Sequence, residues 1–175
     1  RELLASRVDT TTTLARAVAA SPTPPALISG SGMSFYGSDR GDEVLTESRE
    51  PGGGGFLPEV VHRWENATSV AADAGSRVCV IRTTAAMHRD GSILGTALPI
   101  CKLGLGGRSG SGKQYMSMLS RIDWIRAATF LLEHDDVTGP YNSGMPNPGT
   151  NADFTEALGR ALNRPTKLVV PSFAL

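Results

Sequence analysis

Ala26-Leu27-Ile28-Ser29-Gly30-Ser31-Gly32-Met33-Ser34-Phe35-Tyr36-Gly37 decides the fold. An apolar run ends in small and hydroxyl residues, then in a Tyr-Gly pair. A strand buried on both faces of a parallel sheet reads as such a run. In open α/β sheets the ligand crevice lies beyond the carboxyl ends of the strands, so a serine there is placed for chemistry. Ser31 and Tyr36 are therefore candidates: the serine to hydrogen-bond a substrate hydroxyl or carbonyl, the tyrosine as acid or base. The bland alternative is a turn serine and a packing tyrosine, and from the residues alone both stay open.

Working outward, a helical pattern covers 2–20, with Leu4, Val8, Leu14 and Val18 near one face. It stops before Ser21-Pro22-Thr23-Pro24-Pro25. The strand occupies 26–31, and 37–55 is a loop that contains Gly52-Gly53-Gly54-Gly55. A helix is predicted over 56–74, a strand over 77–82 and a helix over 92–102. Gly104–Gly112 is a glycine-rich loop, followed by an extended piece at 114–119 and a helix over 122–134. A short strand falls near Gly139-Pro140-Tyr141-Asn142. Thr150 or Asn151 caps a further helix with Phe154, Leu158 and Leu162 on one face. The chain closes on a strand at 167–170. Strands alternating with helices argue an α/β fold with a parallel sheet.

The 175 residues suit about one domain. Seventeen basic residues balance seventeen acidic ones, which argues against a nucleic-acid partner. No apolar run approaches the roughly 20 residues that span a bilayer. The start Arg1-Glu2-Leu3-Leu4 does not read as a signal peptide, and both ends read as cut from something longer. Cys79 and Cys101 have no histidine nearby and do not fit a zinc pattern. Cys79 reads as a buried thiol, and the setting as reducing and cytoplasmic.

Other candidates are weaker. Gly107-Arg108-Ser109-Gly110-Ser111-Gly112-Lys113 matches the first seven positions of a phosphate-binding P-loop. Gln114 then stands where a magnesium-holding Ser or Thr belongs, and an extended Tyr115–Leu119 follows instead of a helix. A glycine-rich surface loop is the better reading. Arg82 leaves the second strand and meets either a carboxylate or an anionic ligand. Gln114 and Asp123 line a cleft or lie on a solvated face. His62, His88 and His134 read as surface residues, and Trp64-Glu65 as a core aromatic beside an exposed charge.

Taken together, certain residues resemble a family. They are Ser6-Arg7-Val8-Asp9-Thr10-Thr11, Leu27–Ser31, Phe35-Tyr36-Gly37, Thr46-Glu47, Phe56-Leu57 and Trp64-Glu65. They continue with Val80-Ile81-Arg82-Thr83, Leu103–Gly107, Gly110-Ser111-Gly112-Lys113-Gln114-Tyr115 and Asn151-Ala152-Asp153-Phe154. The order resembles the sugar-nucleotide-epimerase-like "epimerase family protein" branch of the extended short-chain dehydrogenase/reductases. That resemblance implies a Rossmann-type, doubly wound parallel sheet, here partial, with a small C-terminal substrate region. Residues 1–102 would be the C-terminal part of the NAD(P)-binding domain. Residues 103–175 would carry the glycine-rich loop and substrate-region elements, interleaved with the first part. Full members open with a strand, a glycine-rich turn and a helix that cradle the dinucleotide, so the chain is expected to be a fragment lacking that unit and the C-terminal tail.

The implied function is an NAD(P)-dependent oxidoreductase or nucleoside-diphosphate-sugar epimerase-like protein, with a carbonyl or sugar-type substrate and NADP favoured over NAD. The implied partner is a small molecule, with neither nucleic acid nor membrane, and a homo-oligomer is left open. The rival is a non-catalytic dinucleotide-binding sensor or scaffold. By resemblance Ser31 matches the catalytic serine, and Tyr36 is a substitute acid or base. Ser29, Gly30, Arg82 and Thr83 fall on the cofactor side, Gln114 and Asp123 on the substrate side. The superfamily's tyrosine and lysine would fall at Phe56 and Val60, and neither side chain exchanges a proton. The family's Trp-Ile-His-[Ile/Val]-Asp-Asp reads Met118-Leu119-Ser120-Arg121-Ile122-Asp123, its Arg-Thr-Gly reads Arg82-Thr83-Thr84, and its Gly-Tyr-Tyr-Gly reads Ser34-Phe35-Tyr36-Gly37.

Overall fold

The apolar run of the first strand and its partner Val78–Thr83 lie side by side in a computed structural model that describes residues 2–88 and 91–170. In chain order the elements are α1 (Glu2–Ala19), β1 (Leu27–Gly32), α2 (Phe56–Asn66), α3 (Ser69–Asp73), β2 (Val78–Thr83), β3 (Ala85–Met87) and α4 (Ser92–Lys102). There follow β4 (Gly107–Ser109), β5 (Tyr115–Met116), β6 (Met118–Ser120), α5 (Arg121–Glu133), β7 (Gly139–Ser143), β8 (Gly149–Thr150), α6 (Asn151–Leu162) and β9 (Leu168–Val170). They form two units. One takes the residues up to Thr84 together with Trp124–Ser143, the other Ala85–Asp123 together with the residues from Gly144 on.

In the first unit β1, β2 and β7 make a parallel sheet in the order β1-β2-β7. Val78 and Val80 face Ala15 of α1 and Ala71 of α3, with Val18 and Leu27 packed alongside. Cys79 and Ile81 face Leu131 of α5, with Ile28, Trp124, Ala128 and Tyr141 around them. Five consecutive residues of β2 are thus buried, which is why its sequence runs apolar without alternation. Burying one such Ile81 contributes about 2 kcal/mol. On α1 the buried stripe is Thr11 and Ala15, and Leu14 is exposed. The face predicted through Leu14 is therefore rotated onto Thr11.

The helix predicted over 56–74 is two helices. Thr68 Oγ1 donates to the Glu65 carbonyl at 2.7 Å, a local bond that competes with helix continuation. Trp64 joins α2 to α1: its indole Nε1 donates to Thr11 Oγ1 at 2.9 Å, and the Arg7 guanidinium sits 5.3 Å from its ring centroid. At the other end of the sheet Arg77 Nη1 donates to Leu131 O (2.7 Å) and Nη2 to Leu132 O (3.0 Å). Those carbonyls end α5 and have no partner within it.

The second unit has three two-stranded pairings: β3 with β6 and β4 with β9, both parallel, and β5 with β8, antiparallel. The closing strand therefore pairs with the start of the glycine-rich loop and not with the main sheet. Helix α6 opens on a capping box: the Thr150 hydroxyl accepts from Asp153 N, and Asp153 accepts from Thr150 N. Among the described residues no helix is long and apolar enough to cross a membrane.

Candidate functional site

The site is built on one rung of the sheet. Ser31 of β1 pairs in register with Arg82 of β2, and Arg82 with Asn142 of β7. Parallel neighbours in register point to the same side, here toward α2. The rung sits at the carboxyl ends of the strands, where ligands of open α/β sheets bind.

Glu65 of α2 ties the rung together. Ser31 Oγ donates to Glu65 Oε1 at 2.5 Å. Arg82 donates from Nε to Oε1 and from Nη2 to Oε2 of the same carboxylate, both at 2.9 Å. The pair is largely buried, with 4% of the Arg82 and 13% of the Glu65 side chain exposed. A two-pronged arginine–carboxylate contact is the strongest form of this bond. Burial disfavours the charge on Arg82, but hydrogen bonds with Glu65 and Tyr36 outweigh it and raise its pKa above the ordinary value. The guanidinium carbon also stands 3.3 Å over the Phe35 ring.

The third prong, Arg82 Nη1, donates to the Tyr36 hydroxyl at 2.9 Å. That hydroxyl lies 2.8 Å from Asn142 Oδ1 and 3.1 Å from Thr46 O, either able to take its single proton. Tyr36 is wholly buried. Arg82 thus meets a carboxylate, the first of its two expected alternatives, and Ser31 turns its proton inward and keeps only lone pairs for anything else.

The remaining expected residues fall elsewhere. Ser29 lies two residues back on β1, buried, its hydroxyl on Gly30 O at 3.2 Å. Gly30 makes room for the Trp64 ring, which a Cβ would meet at 3.2 Å. Thr83 Oγ1 accepts from Trp124 Nε1 at 3.0 Å, on the opposite face from Arg82. Phe56 is half exposed and Val60 buried, so neither offers a titratable group where the superfamily's pair would stand. Gln114 and Asp123 belong to the second unit, both exposed. Gln114 Nε2 donates to Ser109 O (3.0 Å), and Asp123 Oδ2 accepts from Ser120 Oγ (2.8 Å).

The glycine-rich loop turns its amides inward. Ser109 N goes to Asn151 Oδ1, Gly110 N to Val170 O, Gly112 N to Ser109 O and Lys113 N to Ser111 Oγ. Arg108 covers the carbonyls of Gly110 and Ser111. Phosphate cradles need free amides, so the P-loop match carries no such site. A shallow groove along Leu27, Ile28, Trp124, Ile125, Ala128 and Leu132 is apolar and holds no ionisable group. Among the described residues no cluster of His, Cys, Asp and Glu is set to hold a metal.

Glu65 and His62 differ from their sequence readings, and Asn142 had drawn no notice. Glu65 is not an exposed charge. It stands four residues after buried Val61 on the same helical stripe, a spacing that would have flagged it. His62 is half-buried, its Nε2 2.9 Å from Phe35 O. Asn142 was read only as part of a strand; no local pattern marks it, because its hydrogen bonds to Tyr36, Leu45 and Glu47 all reach about a hundred residues back along the chain.

No protein-family model matches the chain. It is 41% identical over 170 residues to the epimerase family protein ML0860 of Mycobacterium leprae, covering 97% of this chain and 54% of that one. It is 37% identical over 175 residues to the epimerase family protein SDR39U1 of Bos taurus, covering 98% and 58%. The chain thus spans little more than half the length of these relatives. The structure of human SDR39U1 (isoform 2) with NADPH matches with a TM-score of 0.90 and 33% identity, over 97% of this chain and 57% of that one. A nucleoside-diphosphate sugar epimerase of Corynebacterium glutamicum matches with a TM-score of 0.81 and 38% identity, over 98% and 38%. Over the part that it spans, the chain belongs to the epimerase family proteins, a branch of the short-chain dehydrogenase/reductases with the Rossmann-type fold.

Proposed function

We propose that the Ser31–Arg82 strand ends form the nicotinamide end of an NADP(H) site in an oxidoreductase or epimerase-like protein. The substrate is a carbonyl or sugar-type small molecule. The supporting observation is the register pairing of Ser31 with Arg82 at the carboxyl ends of adjacent parallel strands, in a chain whose human relative was solved with NADPH. The fit is partial. Arg82 is neutralised by Glu65, so the rung suits a nicotinamide, which carries no negative charge, rather than a phosphate. Among the described residues no glycine turn between strand and helix offers a pyrophosphate seat. The cofactor, when bound, supplies the hydride. Ser31 orients a ligand hydroxyl by accepting from it, Tyr36 acts from behind by fixing Arg82, and Thr83 bounds the cofactor side. Gln114 and Asp123 are our candidates for substrate contact, and Ser29 and Gly30 serve β1 packing.

The absence of an ionisable side chain at Phe56 and Val60 favours a second reading, a dinucleotide-binding sensor without turnover. Titration with NADPH followed by fluorescence, then an NADPH-oxidation assay on carbonyl and sugar-nucleotide compounds, separates the two. Saturable binding with turnover is the expected result, binding alone supports the sensor, and no binding overturns both.

A further inference from the structure

Residues 37–52 leave the sheet and return to almost the same point. Gly52 N donates to Phe35 O at 2.8 Å. A Cβ on Gly52 would lie 2.0 Å from Tyr36 O, so only glycine allows this neck. The other side of the neck is Gly37, at φ 92°, a conformation that favours glycine. A compact surface loop with its ends pinched together is an Ω-loop, a class that often serves function.

The loop is tied within itself: Glu43 accepts from Arg40 at 2.7 Å and pairs with Arg49 at 3.4 Å. Beyond the neck, the side-chain hydrogen bonds between its body and the sheet come from three consecutive residues, Leu45, Thr46 and Glu47. Asn142 takes two of them, its Nδ2 donating to Leu45 O at 2.9 Å and its backbone N to Glu47 Oε1 at 2.8 Å. Its Oδ1 is 2.8 Å from the Tyr36 hydroxyl, which also reaches Thr46 O. Glu47 O lies 3.5 Å from Arg82 Nη1. The loop is thus a strap clipped along three residues, over Arg82 and Tyr36, two of the ionisable groups that the site buries.

We infer that Asn142 is the positioning residue of this site, the clasp that holds the Gly37–Gly52 strap over Arg82 and Tyr36 and gates access to them. The inference deepens the nicotinamide-end reading and rests on it for its functional meaning, but its test needs no ligand. Asn142→Ala removes one bond to the strap, at Leu45 O, and one to the Tyr36 hydroxyl beneath it, and leaves the β7 backbone and its bond to Glu47 in place. Glu47→Ala, at an exposed residue, removes one and leaves the core intact. Hydrogen–deuterium exchange of peptides covering 38–51 is compared with that of peptides from β1 and β2, and Arg82 labelling by phenylglyoxal is mapped in parallel. Asn142→Ala is expected to speed strap exchange about tenfold, equivalent to about 1.4 kcal/mol of local protection. Glu47→Ala should do so by less, Arg82 labelling should rise, and β1 and β2 should stay unchanged. Unchanged strap exchange in both variants overturns the inference. So does an equal rise in strap and strands, which marks general loosening. Absence of NADPH binding would remove the nicotinamide-end reading while leaving the clasp result standing.

Discussion

The strand ends of the first unit bond side chain to side chain, whereas the glycine-rich loop of the second closes through its backbone amides. At the strand ends one carboxylate, Glu65, holds a hydroxyl from β1 and a guanidinium from β2. In the loop, the amides of Ser109, Gly110, Gly112 and Lys113 close on Asn151 Oδ1, Val170 O, Ser109 O and Ser111 Oγ, and Lys113 is exposed. Both carry a ligand-like pattern in sequence. The difference is that a buried charge needs a specific counter-charge, while a loop's amides are satisfied by any oxygen packed against them.

The largest effect is expected at Glu65. Glu65→Ala leaves Arg82 buried without its counter-ion, and the loss is expected to be about 3–5 kcal/mol, read from the urea midpoint. A loss within about 0.5 kcal/mol, the size of an ordinary surface change, would mean that the pair is solvated and the two regions are alike. Next comes the joint between α2, which carries Glu65, and α1. Thr11→Val takes the acceptor from the Trp64 indole and should cost about 1–3 kcal/mol, measured the same way.

Smaller effects belong to the second unit. Thr150→Ala removes the α6 cap and should cost about 1 kcal/mol. The Thr150 hydroxyl and amide hold the Asp153 carboxyl below the usual aspartate range. A depressed folded pKa gives stability that is present above the ordinary value and lost as pH falls through the depressed one. The gap between wild type and Thr150→Ala should therefore narrow in acid, and a gap that is flat with pH would refute the capping box. Smallest of all, Lys113→Ala should change stability by no more than about 0.5 kcal/mol and leave Mg-ATP affinity, by calorimetry, as negligible as before. Mg-ATP binding lost on this change would restore the P-loop.

Much of the fold was legible because its signals are local. The apolar runs of β1 and β2, the proline break after α1 and the Thr150 cap each act through near neighbours, and each lies where the sequence put it. That Ser31 and Arg82 stand at the carboxyl ends of parallel strands was legible from two apolar runs ending in polar residues; their pairing in one register was not. What escaped were decisions made at a distance. Leu14 gave way to Thr11 on the buried face because Trp64 needs a hydrogen-bond acceptor. The 56–74 helix split because one hydroxyl captured a carbonyl. Glu65 and Asn142 are unremarkable residues in sequence whose partners lie on other elements. Tyr36 was legible as part of the site, but its complete burial depends on a loop whose clip is Asn142.

The central claim, that Ser31, Glu65 and Arg82 act as one buried unit, is tested most directly by a double-mutant cycle in urea on Glu65→Leu and Arg82→Met. Each single change should be strongly destabilising. The pair of apolar replacements together should recover much of the loss, giving a coupling of at least about 2 kcal/mol. Losses that add within about 0.5 kcal/mol would contradict the account.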